Sequence, residues 1–106
     1  MDPSSIIINN HNHNLNFNLH QILYIVQEDG ESLKYVTNEF KNNKEIVLAA
    51  IEQYPYALQY ASEELKNDKE FISNIISKYK FAFAFISEDL KKDKDILSLL
   101  NKNDKF

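Results

Sequence analysis

The sequence predicts an all-α fold, a small solenoid-like array of helical repeats with a period of 25 residues. The charged phrase "TNEFKNNKE" (residues 37–45) returns as "SEELKNDKE" (62–70) and again as "SEDLKKDKD" (87–95). A fixed period in this range is typical of stacked repeats. Apolar residues at positions i, i+3, i+4 and i+7 follow the first two phrases, as expected for one face of an α-helix. The period does not set the handedness of the array.

The chain is predicted to contain a tail and one repeat domain. Residues 1–18 form a low-complexity, Asn/His-rich N-terminal tail that we expect to be poorly ordered. Residues 19–106 form the helical repeat domain, with a leading helix at about 19–28 and units at about 31–55, 56–80 and 81–105. Asn101 replaces an isoleucine of the earlier units, so we expect a polar outer face and the end of the array there.

Each unit is predicted to contain a long helix that begins after a capping residue. The apolar stripes of the first two long helices share one spacing: Val47, Ala50, Ile51 and Tyr54, then Ile72, Ile75, Ile76 and Tyr79. Leu97 takes the same place in the third unit as Val47 and Ile72. Asn43, Asp68 and Asp93 precede the three helices, and their side-chain oxygens can accept hydrogen bonds from the first-turn N–H groups.

A shorter helical element is predicted before each of these caps. Gly30 and Pro55 mark two of its starts, and proline suits the first position of a helix. Leu33, Leu58 and Phe83 recur as its core positions. Thr37, Ser62 and Ser87 are predicted to cap one further turn. The charged phrase is therefore predicted to be the connection between the shorter element and the long helix of each unit, and it contains both caps.

The pattern x-A-L-x-Y-A-S-x-E-L-x-x-D-K-E, present as "YALQYASEELKNDKE" (residues 56–70), resembles a family of short tandem helical repeats catalogued as a domain of unknown function. Its members come mostly from protists, giant viruses and some intracellular bacteria. The resemblance covers roughly residues 21–100, and the second unit is the most similar. It implies an all-helical fold and supplies no catalytic residues.

Composition narrows the classes of partner. The net charge of −4 disfavours nucleic acid and anionic membrane surfaces, which require a basic footprint. Every basic residue is lysine, and the bias toward Asn, Lys, Ile, Tyr and Phe is typical of an AT-rich genome. The longest apolar run, "FAFAFI" (residues 81–86), is too short to span a bilayer. With no cysteine and no secretory signal at the start of the sequence, we expect an intracellular, cytoplasmic setting.

The sequence offers little catalytic chemistry, and we expect no enzyme and no cofactor. His11, His13 and His20 match no metal-site spacing and are interpreted as part of the biased tract. The carboxylate pairs Glu63–Glu64 and Glu88–Asp89 fall in this exposed connection, where burial would not shift a pKa. We therefore predict no catalytic, cofactor-binding or metal-binding residue.

The predicted function is a non-enzymatic protein–protein interaction module whose protein partner is not identified. Positions that change between units are free to specify a partner. We therefore predict that Gln59 and Asn74, which occupy such positions, bind the partner. The aromatic run of the third unit adds Phe81 and Phe85, because exposed aromatic residues are enriched at interfaces. Two alternatives stay open: the aromatic side chains pack between units, or an exposed apolar strip pairs two copies as a homodimer.

Overall fold

The computed structural model describes residues 17–101, which form helices joined by short turns and contain no β-strand. The all-α repeat fold predicted from the sequence is thus confirmed. Of the predicted tail, residues 1–16 lie outside the described part of the chain, and so do His11 and His13. The chain divides into two compact units, Met1–Ala61 and Ser62–Phe106.

Both units use the same three kinds of element, namely a long α-helix, a 3-10 helix and a four-residue α-helix. The first unit contains α1 (Leu19–Glu28), η1 (Gly30–Tyr35), α2 (Asn38–Lys41), α3 (Lys44–Gln53) and η2 (Pro55–Tyr60). The second contains α4 (Glu63–Lys66), α5 (Lys69–Lys78), η3 (Lys80–Phe85), α6 (Glu88–Lys91) and α7 (Lys94–Asn101). Pro55 occupies the first turn of η2, as predicted.

The caps of the long helices are confirmed. The side-chain oxygens of Asn43 and Asp68 accept hydrogen bonds from the N–H groups of Ile46 and Phe71, at 3.0 Å in both cases. Asp93 accepts in the same way from the N–H of Ile96 at 3.1 Å. Each cap satisfies a first-turn donor that has no partner within the helix.

The caps of the short helices are confirmed at two of three positions. Ser62 and Ser87 accept from the N–H groups of Leu65 and Leu90, both at 3.1 Å. The prediction for Thr37 is wrong, because its side chain makes no capping hydrogen bond although it occupies the N-cap position of α2. Its C=O nevertheless accepts the N–H groups of Phe40 and Lys41.

The core of the first unit lies between α1 and α3, with η1 and η2 packed against α3 and against each other. Its buried side chains come from all four elements: Ile22, Ile25 and Val26, then Leu33, then Ile46, Val47, Ala50 and Ile51, then Ala57 and Leu58. A fully buried Val, Leu or Ile contributes about 1.5–3 kcal/mol relative to an exposed one. Tyr54 ends the predicted stripe outside α3, as its half-buried C-cap residue.

Gly30 permits a close approach in this core. A Cβ atom at Gly30 would lie 2.5 Å from the carbonyl oxygen of Ala50 and 2.7 Å from the Cβ of Tyr54. The N–H of Gly30 donates to Oε1 of Gln53 at 2.6 Å. The glycine therefore lets the start of η1 pack directly on the C-terminal turn of α3.

In the second unit α5 packs against α7 and η3. Its buried side chains are Leu65, Phe71, Ile72, Ile75, Ile76, Ala82, Ile86, Leu90 and Ile96. Two sequence-based expectations are wrong here. Phe83 is half-buried rather than a core residue like Leu58, and Leu97 is 38% exposed where Ile72 is buried. The reason for Leu97 is that no later described element covers that side of α7.

A set of polar contacts joins the two repeats within the second unit. Ser87 donates its N–H to the C=O of Lys66 at 3.0 Å and its hydroxyl to Oδ1 of Asn67 at 2.6 Å. Nζ of Lys69 lies 3.1 Å from a carboxylate oxygen of Asp93 and 2.7 Å from one of Asp95. Because Lys69 and Asp95 are exposed, these ion pairs link α5 to α7 but add little to stability.

Candidate interaction surface

The outward faces of the three 3-10 helices carry side chains that differ between repeats. In a 3-10 helix residues i and i+3 lie on the same side. In η2 the buried side belongs to Ala57 and Leu58, so Tyr56 and Gln59 are exposed together. Nε2 of Gln59 donates to the C=O of Tyr56 at 3.1 Å, which links the two residues on that face.

The equivalent face of η1 is charged. Glu31 and Lys34 form an ion pair at 3.4 Å on it. Nζ of Lys34 also lies 5.3 Å from the ring centroid of Tyr35 and 5.8 Å from that of Tyr60, within cation–π range. The pKa of Lys34 is raised above its ordinary value, first by Tyr35 and Tyr60 and then by Glu31. This lysine therefore stays charged while it bridges the aromatic residues of η1 and η2.

The equivalent face of η3 is apolar. Phe81 is 45% exposed and Ala84 beside it is also exposed, whereas Ala82 on another side is buried. The Phe81 ring lies 6.3 Å from that of Tyr79 in a tilted arrangement, which aromatic pairs favour. Phe85 follows four positions later, shares its side with Ala82, and is half-buried. Phe81 is therefore the more accessible of the two predicted phenylalanines.

The four predicted partner-binding residues fall in different units. Gln59 belongs to the unit that ends at Ala61, whereas Asn74, Phe81 and Phe85 belong to the unit that begins at Ser62. Asn74 is exposed on α5, on the side away from the buried isoleucines of that helix. Three of the four are thus exposed and Phe85 is half-buried.

Other exposed apolar side chains were not nominated from the sequence. Tyr24 on α1 is 64% exposed and Tyr56 on η2 is 47% exposed; Leu48 on α3 is also accessible. The i, i+3 rule of the 3-10 helix would have found Tyr56, because Ala57 and Leu58 fix the inward side of η2. No comparable signal identifies Tyr24, which lies on a helix with apolar residues around most of its circumference.

Among the described residues, those considered for catalysis or metal binding lie on the surface. Glu63 and Glu88 are exposed and pair with Lys66 and Lys91 at 3.1 Å and 3.3 Å. His20 is exposed in the first turn of α1. Within residues 17–101, no group of three His, Cys, Asp or Glu side chains is placed to hold a metal ion. None of the helices described there is long and apolar enough to cross a membrane.

A family model described as Domain of unknown function (DUF4116) matches residues 20–66, 44–91 and 68–106. The chain belongs to the DUF4116 family. Its three matches overlap in tandem and together cover the helical repeats, which confirms the resemblance seen in the sequence. No curated protein and no solved structure matches this DUF4116 chain.

Proposed function

We propose that this DUF4116 chain is a non-enzymatic protein–protein interaction module. The observation that carries the proposal is the exposed apolar face of η3, where Phe81 is 45% exposed beside an exposed alanine. Burying such a side chain against a partner contributes about 1.5–3 kcal/mol to the free energy of binding. This gain favours a complex in which the η3 surface is covered. Aromatic residues, phenylalanine among them, are enriched at the core of protein interfaces.

The division between constant and variable positions supports the same function. Many residues that recur between repeats are buried, as Leu58 and Ile72 are, or they cap helices, as Asp68 does. Gln59 and Asn74, which vary between repeats, are exposed. A repeat scaffold with this division can keep its fold while the exposed positions change with the partner.

Site-specific photo-crosslinking tests the proposal. A photoreactive phenylalanine analogue is placed at position 81, and a matched control carries it at Tyr24, which is more exposed but lies on α1. Both proteins are expressed in the source cells and irradiated. We expect one defined heterologous crosslink from position 81 and none of that mass from position 24.

The same experiment decides between a partner and self-association. A crosslinked product of twice the chain mass from position 81 alone, together with a dimer mass by light scattering, favours the homodimer in place of a separate partner. Equal diffuse crosslinking from both positions would contradict a specific surface on η3.

A further inference from the structure

The charge beside the 3-10 helix differs from one repeat to the next. Two positions show the change, the last residue of the long helix and the first residue of the 3-10 helix that follows it: Glu28 and Gly30, then Gln53 and Pro55, then Lys78 and Lys80. These positions carry a negative charge in the first repeat, no charge in the second and two positive charges in the third. The apolar face of η3 is therefore the one that lies beside basic residues.

The positive charge beside η3 is not balanced by neighbouring acidic residues. Between Glu70 and Glu88 the sequence contains no aspartate or glutamate, and its two charged residues are Lys78 and Lys80. Within residues 17–101 neither lysine forms an ion pair, in contrast to Lys66 and the other lysines that do. This segment is thus locally basic in a chain whose net charge is −4.

The aromatic side chains bring this charge next to the exposed apolar face. Nζ of Lys78 lies 5.8 Å from the ring centroid of Tyr79, within cation–π range. The Tyr79 ring in turn lies 6.3 Å from that of Phe81, which is 45% exposed. We name this region the basic–aromatic surface; it consists of Lys78, Tyr79, Lys80, Phe81 and Ala84.

We propose, on the basis of the interaction function proposed above, that the basic–aromatic surface binds an acidic segment of a partner protein. In this segment aspartate or glutamate residues flank an apolar side chain. The apolar side chain packs against Phe81 and Ala84, and the flanking carboxylates lie beside Lys78 and Lys80. Opposite charges accelerate the association and disfavour basic partners. Since a lysine ammonium is a point charge without the bidentate fork of arginine, aspartate and glutamate serve equally well.

The number of lysines favours a peptide over an anionic membrane. Segments that bind anionic lipid carry clusters of about four to eight basic residues. The basic–aromatic surface has two, Lys78 and Lys80. Two charges on either side of an exposed aromatic residue fit a short acidic segment better than an extended charged sheet of headgroups.

Selection from a phage-displayed library of random peptides tests the proposal. The bait is the full chain, and a Phe81→Ser bait identifies the peptides that bind elsewhere. We expect the peptides that depend on Phe81 to be enriched in aspartate and glutamate next to an apolar residue.

A selected peptide is then labelled and titrated by fluorescence anisotropy. Lys78→Gln/Lys80→Gln should weaken its binding about three- to tenfold, the loss expected for two exposed ion pairs, and the difference should shrink at high salt. The matched control, Lys92→Gln/Lys94→Gln, removes the same charge from two exposed positions of the same unit and should leave the affinity unchanged. Circular dichroism establishes that all variants retain the helices.

The outcomes separate this inference from the proposed function. Peptides that depend on Phe81 but are not acidic, and that bind the Lys78→Gln/Lys80→Gln variant as tightly as the wild type, would overturn the acidic partner and leave the interaction surface in place. Selection of the same peptides by wild type and Phe81→Ser would overturn both.

Two further results would assign the surface to another occupant and so overturn the proposal. The first is binding of phosphatidylserine vesicles that is lost in the Lys78→Gln/Lys80→Gln variant, with no acidic peptides selected. The second is a dimer mass by light scattering that falls to the monomer mass in the same variant, which would identify a second copy of the chain.

Discussion

Removing the hydroxyl of Ser32 is expected to stabilise the protein. Ser32 is fully buried in η1, and its Oγ has no hydrogen-bond partner among residues 17–101. Ala57 and Ala82 hold the equivalent positions of η2 and η3 and are also fully buried. The site therefore has the shape of an alanine and contains a polar atom that water cannot reach.

The expected magnitude follows from the cost of an unsatisfied buried group, about 1–3 kcal/mol. Loss of one oxygen atom leaves a small void that offsets part of this gain, because removed packing contacts also cost stability. We expect Ser32→Ala to raise the free energy of unfolding by about 1–2 kcal/mol, allowing for both terms. The reverse change at an equivalent site, Ala57→Ser, is expected to lower it by a similar amount.

Urea denaturation followed by circular dichroism at 222 nm measures these changes. Ser62→Ala is the matched control, because the same chemical change there removes a cap and should cost about 1 kcal/mol. Opposite signs for the two serine variants support the assignment of the repeat register to η1. A Ser32→Ala protein less stable than the wild type would refute the reasoning and show that the hydroxyl has a partner.

Three further predictions concern the close approach, the caps and pH. Gly30→Ala should cost about 1–3 kcal/mol by denaturation, because its Cβ meets the backbone oxygen of Ala50 at 2.5 Å; unchanged stability would contradict that packing. Thr37→Ala should change the free energy of unfolding by less than about 0.5 kcal/mol, whereas a working cap costs about 1 kcal/mol; a larger loss at Thr37 would reveal a capping bond. The pKa of Asp93 is held below its ordinary value of 3.8, first by the N–H of Ile96 and then by Lys69. The stability that this carboxylate adds is therefore present above pH 3.8 and is lost as the pH falls through its lower folded pKa. Asp93→Asn should keep the cap and flatten this part of the pH dependence in acid titrations, and an unaltered profile would contradict the assignment.

The local features were predictable from the sequence because they depend on neighbouring residues. Asp68 was predicted to cap α5 and does so. Ile72, four residues later, was predicted to begin the apolar stripe of that helix and is buried. Pro55 begins η2 for the same local reason, since its fixed backbone angle suits a first turn.

The orientation of the long helices was only partly predictable. Ile46, Phe71 and Ile96 are buried although the stripe read from the sequence began one residue later. Two adjacent apolar residues leave the inward direction ambiguous until the neighbouring helix is placed. The exposure of Leu97 was equally hard to predict from the sequence, because it depends on what packs beyond α7 and not on its own helix.

The candidate surface required the structure for a similar reason. The sequence nominated Phe81 and Phe85 together, but a 3-10 helix places them on different sides and leaves Phe85 half-buried. Gln59 could be nominated because it varies between repeats, and its exposed position beside Tyr56 became evident only once the type of helix was known.

Affinity capture from lysate of the source organism tests the central claim, an interaction surface on η3, most directly. Wild type is compared with Phe81→Ser/Phe85→Ser and with the control Tyr24→Ser, after circular dichroism and light scattering have established the fold and mass of each. The account predicts one protein captured in near-equal amount by wild type and by the control, and lost with the double variant. Equal capture by all three proteins would contradict the claim that η3 is the binding surface.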